Sequence, residues 1–345
     1  MYNFVNDYSE GCHINILKRL EKENLKQKAG YSMDEISLSV KEKIRTLIGD
    51  QKADVHFFVG GTQANSTMIA NVLRPYQGVV CAETGHIAEH ETGAVEATGH
   101  KVLTVASNDG KLKPSLLIEL LKEHFDSEIS EHMVQPGMVY ISDSTEVGTI
   151  YKKAEIEEIY KVCQEYDLPL FIDGARIGSA LTSKENDIDI KDLPKICDMF
   201  YIGGTKNGAL LGECAVIVND RYKKDFRYLL KNRGALMAKG YVIAINFDEL
   251  FKDDLFFKLA TFANEQAQKL GDALSKLNVK MYQKQITNQV FPILSNKQIA
   301  KLAEKYGFET WIKIDDENCA VRFCMSWATI PEKVDELIED IKKVL

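Results

Sequence analysis

The sequence predicts an α/β protein, a mostly parallel sheet with helices on both faces, followed by a smaller C-terminal α+β domain. Two observations carry this. Up to about residue 253, short strands that are apolar throughout, such as "GVVCAE", "GMVYISD" and "LPLFIDG", alternate with amphipathic helical stretches; strands of that kind are buried on both faces and belong to parallel sheets. From about Asp254 the texture changes to one long helical pattern and then to strands and helices of a different spacing.

In chain order, "DVHFFVGG" reads as a strand, "TQANSTMIANVL" as a helix, and "GVVCAE" and "HKVLTVA" as strands, with a helix over "KPSLLIELLKEHF". Next come the strand "GMVYISD", the helix "KAEIEEIYKVCQEYD" with Ile156, Ile159, Tyr160 and Cys163 on one face, and the strands "LPLFIDG", "MFYIGG" and "CAVIV". The C-terminal part holds the long helix "LFFKLATFANEQAQKLGDALSKLN" and the strands "QVFPIL", "ETWIKI" and "AVRFCMSWA". Its helix "SNKQIAKLAEKYG" has Ser295 as the expected N-cap and Gly307 as the expected stop. The closing helix places Val334, Leu337, Ile338 and Ile341 on one stripe.

The 345 residues, at roughly 150 per domain, suggest about two domains. We place them at 1–253 and 254–345, with the N-terminal segment free to pack on the small domain. Lys+Arg 43 against Asp+Glu 51 leaves a net charge of −8, which argues against a general nucleic-acid or anionic-membrane binder and favours small-molecule partners. The seven cysteines are scattered without CxxC spacing, and Cys81, Cys163, Cys214 and Cys324 sit in apolar contexts, as reduced core residues do. There is no signal-like N-terminus and no apolar run near the ~18 residues of a membrane span. The expectation is a cytoplasmic protein.

Four strand ends carry unusual polar residues. In "FFVGGTQAN" a strand stops at Gly60-Gly61 and a helix starts at Thr62, leaving free N–H groups that suit an anion; this is not the GxGxxG of a dinucleotide site. In "LPLFIDGARIG" an apolar strand runs into Asp173, a carboxylate that needs a partner, and Arg176 is near enough to supply one. In "CAETGHIAEHETGA", His86 and His90 stand four apart, but the segment is not HExxH, and a ring-stacking histidine fits better than a metal ligand. No metal is expected. In "MFYIGGTKNGALLGECAVIV", Lys206 is hemmed in by glycines and apolar segments, where an ammonium tends to lose its proton and become a nucleophile. A phosphate cup, an acid ending a buried strand and a cramped lysine together suit pyridoxal 5′-phosphate: its aldehyde forms a Schiff base with lysine and its pyridine nitrogen stays protonated against a carboxylate.

The motifs "GGTQAN", "TGH", "IDGARI", "GGTKNG" and "AVRFCMSW", in that order and spacing, resemble the threonine aldolase branch of the β-eliminating lyases over nearly the whole chain. The resemblance implies the PLP-dependent transferase-like fold (fold type I), as in aspartate aminotransferase. It implies Lys206 as the Schiff-base lysine, Asp173 as the pyridinium partner, His86 stacked on the cofactor ring, and Gly61, Thr62 and Thr205 as phosphate ligands beside Gly60. It implies Arg176 at the cofactor's phenolic oxygen and the substrate carboxylate, and Arg322 as the clamp on that carboxylate. It also implies a homodimer or homotetramer with active sites at the subunit interface, where Lys239 or Arg233 of "KNRGALMAKG" reaches the neighbour's phosphate. Two positions depart from the family pattern. Glu146, in "SDSTEVG", stands where a histidine is usual, and Asn6, Asp7 or Ser9 replaces an N-terminal serine near the phosphate and substrate.

The activity implied is aldol cleavage of a β-hydroxy-α-amino acid, L-threonine or L-allo-threonine, to glycine and acetaldehyde. The alternatives on this scaffold are β-elimination, racemisation or transamination. His86, Glu146 or a water they hold would take the hydroxyl proton. A carboxylate with an ordinary pKa near ~4.3 is a poor base for an alcohol, so His86 and the water rank ahead of Glu146.

Overall fold

Seven strands form the central sheet of the computed structural model, which describes the whole chain, Met1–Leu345. They are β1 Asp54–Phe58, β2 Gln77–Ala82, β3 Lys101–Val105, β4 Gln135–Ser142, β5 Leu170–Asp173, β6 Met199–Gly203 and β7 Glu213–Ile217. Their spatial order is β1-β7-β6-β5-β4-β2-β3, parallel throughout except that β7 runs antiparallel to both of its neighbours. The longer helices are α1 Ile14–Glu23, α2 Glu35–Ile48, α3 Gly61–Val72, α4 Pro114–Phe125, α5 Lys153–Glu165, α6 Tyr241–Leu250, α7 Leu255–Lys276, α8 Asn296–Ala303 and α9 Pro331–Val344. None is long and apolar enough to cross a membrane.

The period of two along each strand divides the core. Val139, Ile141, Leu170, Ile172, Phe200 and Ile202 pack with α1, α2, α4, α5 and α6 on one face. Met138, Tyr140, Phe171, Met199 and Tyr201 point to the other face, where Ala64, Met68 and Ile69 of α3 cover them. Because Asp173 follows Ile172, its side chain falls on the α3 face, the same face as Tyr140 and Tyr201. That alternation builds the site described below.

In the small domain, β8 Met281–Gln283, β9 Gln289–Ser295, β10 Glu309–Lys313 and β11 Asn318–Cys324 form an antiparallel sheet in the order β10-β11-β9-β8. The N-terminal strand Tyr2–Asn3 pairs in parallel with Tyr306–Gly307, and Phe4 is buried in the small-domain core. Residues Val334, Leu337, Ile338 and Ile341 of α9 are buried in that same core. Burying a Leu or Ile side chain of this kind contributes about 1.5–3 kcal/mol.

Ser295 caps α8 as the sequence suggests, in a capping box with Gln298. Gly307 does not stop that helix, which ends at Ala303. It sits in the two-residue strand against Asn3, where an added Cβ would come within 2.8 Å of Asn3 Oδ1. Its smallness serves this close approach of the N-terminal segment, which the local sequence around it does not reveal.

Candidate active site

Five strands of the large sheet deliver polar residues at their carboxyl ends, the edge where such sheets bind ligands. After β1 come Gly60, Gly61 and Thr62. His86 follows β2, Glu146 follows β4, Asp173 and Arg176 close β5, and Thr205 and Lys206 follow β6. A cavity of about 510 Å³ is lined by Lys206, Arg176, His86, Glu146, Arg322 and Trp311 among others, a size suited to a small ligand.

Asp173 is buried and fully engaged. Oδ1 accepts from the Tyr201 hydroxyl at 2.5 Å and the Ala175 N–H at 2.9 Å, and Oδ2 accepts from the Tyr140 hydroxyl at 2.6 Å and Asn65 Nδ2 at 2.8 Å. Burial alone would raise its pKa, but His86 and the two tyrosine hydroxyls outweigh burial, and the net shift is downward. The carboxylate is therefore held ionised. Arg176 is not its partner, contrary to the sequence expectation. That guanidinium turns to Asp7 instead, Nε donating to Oδ2 at 2.7 Å and Nη2 to Oδ1 at 3.1 Å.

Lys206 lies part-buried in the cavity wall. Burial, and next the Arg176 charge, lower its pKa, against the pull of Asp7, Asp173 and Glu213. Its amine is thus biased toward the neutral, nucleophilic form. Beside it, buried Glu213 accepts from the Gly204 N–H at 2.9 Å.

The N-terminus of α3 has no side-chain cap, and Thr62 at its first turn is exposed, so free N–H groups face outward. At Gly61 an added Cβ would come within 2.9 Å of the Tyr201 hydroxyl. The Thr205 hydroxyl accepts from the Gly212 N–H at 3.1 Å. The carbonyl of Arg233 holds Gln63 of α3 through a 3.3 Å bond from Nε2 within the same chain, whereas Lys239 is exposed.

His86 begins a one-turn helix, His86–Glu89, and its ring centroid is 5.6 Å from that of His90, which is 5.9 Å from Trp311. Glu146 is buried, and burial raises its pKa. Its Oε1 accepts from the Ser142 hydroxyl at 2.7 Å and the His86 N–H at 2.9 Å, and its Oε2 is out of solvent without a donor. On β11, Arg322 donates to the Val5 carbonyl at 3.2 Å, pairs with Glu309 and lies with its guanidinium 4.8 Å from the Trp311 ring centroid.

Asn6 and Ser9 do not line this cavity. The Ser9 hydroxyl donates to Asn6 Oδ1 at 3.0 Å, closing a local turn, while Val5 and Tyr8 reach the cavity and Asp7 lies beneath it. Sequence reasoning also missed Tyr140, Tyr201, Asn65 and Glu213. The tyrosines had a usable signal, since each sits at a same-face position of a strand beside Asp173. Glu91 stands in the same polar run as His86 and His90, and nothing in that run marks it as the partner of the His86 ring.

This sheet order, with a strand-end acid and a crowded lysine at the carboxyl ends of adjacent strands, is that of the fold class of aspartate aminotransferases and related enzymes. An aspartate aminotransferase variant from Thermus thermophilus superposes with a TM-score of 0.72 at 15% identity, over 100% of this chain and 92% of that one. The family model for β-eliminating lyases matches residues 18–297, and the chain belongs to that family. It is similar to a threonine aldolase from Leishmania major, with a TM-score of 0.97, 44% identity and 100% of both chains covered. It is also 30% identical to a low specificity L-threonine aldolase of a Pseudomonas species over 99% of this chain and 97% of that protein.

Proposed function

We propose that this protein is a pyridoxal 5′-phosphate-dependent lyase that cleaves β-hydroxy-α-amino acids, with L-threonine and L-allo-threonine as substrates, to glycine and acetaldehyde. The observation that carries this is a lysine in the cavity wall whose pKa is lowered, with the buried, ionised Asp173 at the end of the neighbouring strand among the charges that act on it. The residues present fit the cofactor. Gly61 has no room for a Cβ against Tyr201 and opens an uncapped helix, which suits a phosphate. Bound there, the cofactor supplies an aldehyde for exchange of amines and a protonated ring nitrogen that draws the electron pair released at Cα.

The chain's own residues divide the remaining work. Asp173, fixed by four donors, keeps its negative charge where the ring nitrogen needs it. Gly60, Gly61, Thr62 and Thr205 hold the phosphate. Lys206 provides the exchanging amine. Arg322 takes the substrate carboxylate with its planar fork, and Arg176, which lines the same cavity, supports it. His86, with a ring open to the cavity, accepts the β-hydroxyl proton. Glu146 has one oxygen committed to two donors and the other shielded from solvent; it anchors the His86 backbone.

We read the assembly as a homodimer or homotetramer, with Lys239, exposed and without an ion pair in its own chain, reaching a neighbour's phosphate. A cytoplasmic location is supported by the cysteines, all of which are free. The test is incubation of the holoprotein with L-threonine, L-allo-threonine and L-serine while glycine, acetaldehyde and pyruvate are assayed. Glycine with acetaldehyde is the expected outcome. Pyruvate from serine without aldol products would replace this reading with β-elimination. Lys206→Ala should lose both the activity and the visible absorbance of bound cofactor.

A further inference from the structure

A histidine can accept a proton from substrate only through a bare ring nitrogen, and the partner of its other nitrogen decides which one is bare. Nδ1 of His86 lies 2.9 Å from Oε1 of Glu91, whose side chain is 0% exposed against 32% for His86. The same Oε1 accepts from Asn65 Nδ2 at 2.8 Å, and Asn65 Nδ2 also donates to Asp173 Oδ2 at 2.8 Å. The Asn65 amide has one orientation here, because turning it over would press its oxygen against two carboxylates. Thr92, next to Glu91, holds a φ of 52°, a region that β-branched residues rarely occupy.

We propose that Glu91 is the positioning residue for proton transfer at His86: its carboxylate keeps the ring proton on Nδ1, leaves Nε2 as the free base facing the cavity, and through Asn65 ties that arrangement to Asp173. The proposal rests on the reading of His86 as the base for the β-hydroxyl. In the step concerned, the hydroxyl proton passes to Nε2, the O–H electron pair becomes part of the aldehyde C=O bond as Cα–Cβ breaks, and the Cα–Cβ pair stays with the amino-acid fragment until Cα is reprotonated. The imidazolium so formed is stabilised by the Glu91 anion until it returns the proton.

Other charged or titratable groups face His86. They are His90 on its own segment, Glu146 from the loop after β4, Asp173 from β5, and Arg176, Lys206 and Arg322 around the cavity. Among them Glu146 bonds the His86 backbone and not its ring, so removing the Glu91 charge acts on the ring, and through Asn65 on Asp173, while that backbone bond stays in place.

The experiment is histidine-selective ¹⁵N NMR of apoprotein and holoprotein across a pH series, on wild type, Glu91→Gln and Glu91→Asp, with kcat and KM for L-threonine measured in parallel. Wild type should show His86 protonated on Nδ1 and bare on Nε2 when neutral. Glu91→Gln should move the acid limb of kcat/KM to lower pH and reduce kcat about tenfold or more, with little change in KM; Glu91→Asp should recover part of the loss. A wild-type spectrum with the proton on Nε2 overturns the proposal, and so does a Glu91→Gln pH profile identical to wild type. Should Glu91→Gln fail to fold, the wild-type tautomer decides alone. Failure of wild-type holoprotein to cleave threonine would overturn the functional reading, while the apoprotein tautomer still judges the role of Glu91.

Discussion

Arg176 and Asp7, 169 residues apart in sequence, meet as a buried two-pronged ion pair under the cavity. Asn288 of the small domain donates to Asp7 Oδ2 at 2.8 Å, so one carboxylate joins the N-terminal segment, the loop after β5 and the approach to β9. Burial would raise the pKa of Asp7, but the charges of Arg176 and Lys206 hold it down to about 2. A depressed folded value means the stabilisation is whole above the unfolded value of 3.8 and is lost as pH falls toward about 2.

Asp7→Ala leaves a buried guanidinium without its counter-charge, a change that costs about 3–5 kcal/mol. Denaturant unfolding near neutral pH should show that loss, and the gap between variant and wild type should narrow in strong acid. A loss below about 1 kcal/mol, the range of exposed pairs, would mean that water reaches the pair.

Gly61→Ala tests the phosphate cup without touching a charged group. The new Cβ would stand 2.9 Å from the Tyr201 hydroxyl, and that hydroxyl cannot retreat without giving up its 2.5 Å bond to Asp173. Overpacking of this sort costs about 1–3 kcal/mol, and here it falls on the group that keeps Asp173 ionised. We expect weaker cofactor retention in equilibrium dialysis against pyridoxal 5′-phosphate, whereas Gly60→Ala, with open space around its Cβ, should bind it far better.

The sheet was legible because its central strands carry short apolar runs, such as Met138–Ile141 and Leu170–Ile172, and helices show a buried stripe, as α5 does with Ile156, Ile159 and Cys163. Asp173 and Lys206 were legible for a related reason: a charge that ends an apolar run has to be explained by something near it. Pairings across long separations were not. Nothing near Arg176 points to Asp7, so the sequence suggested the nearer Asp173, and it suggested Asn6 and Ser9 where Val5 and Tyr8 line the cavity. The Gly307 error has the same origin, because a glycine after a helical pattern suits a helix stop and a close strand contact equally well.

Glu309 and Arg322 stand directly opposite each other on β10 and β11, so the sheet register itself supplies Arg322 with a counter-charge. A substrate carboxylate has to displace it. Glu309 is 38% exposed and can swing into water, so the competition is modest, of the order of a surface pair at roughly 0–1 kcal/mol. Glu309→Ala should therefore lower KM for L-threonine by up to about fivefold with kcat nearly unchanged. A higher KM would show instead that Glu309 orients the guanidinium for its ligand.

Glu213 gives the last prediction. It is buried at the start of β7, and burial pushes its pKa up to about 7, against the bonds from Thr205 and the Gly204 N–H and the charge of Lys206. A folded value above the unfolded 4.5 means that the folded protein binds this proton more tightly, so stability is greatest in acid and declines as pH rises through about 7. A cofactor phosphate held by Thr205 would add repulsion in the same direction. Glutamine has nearly the same shape, can still accept from Gly204 and carries no charge at any pH. Glu213→Gln holoprotein should match wild type in mild acid and exceed it in alkali by ~1–3 kcal/mol, each pKa unit being worth about 1.4 kcal/mol. Thermal melts at the two pH extremes measure the difference, and a variant less stable than wild type in alkali would mean that the ionised carboxylate is the form the fold requires.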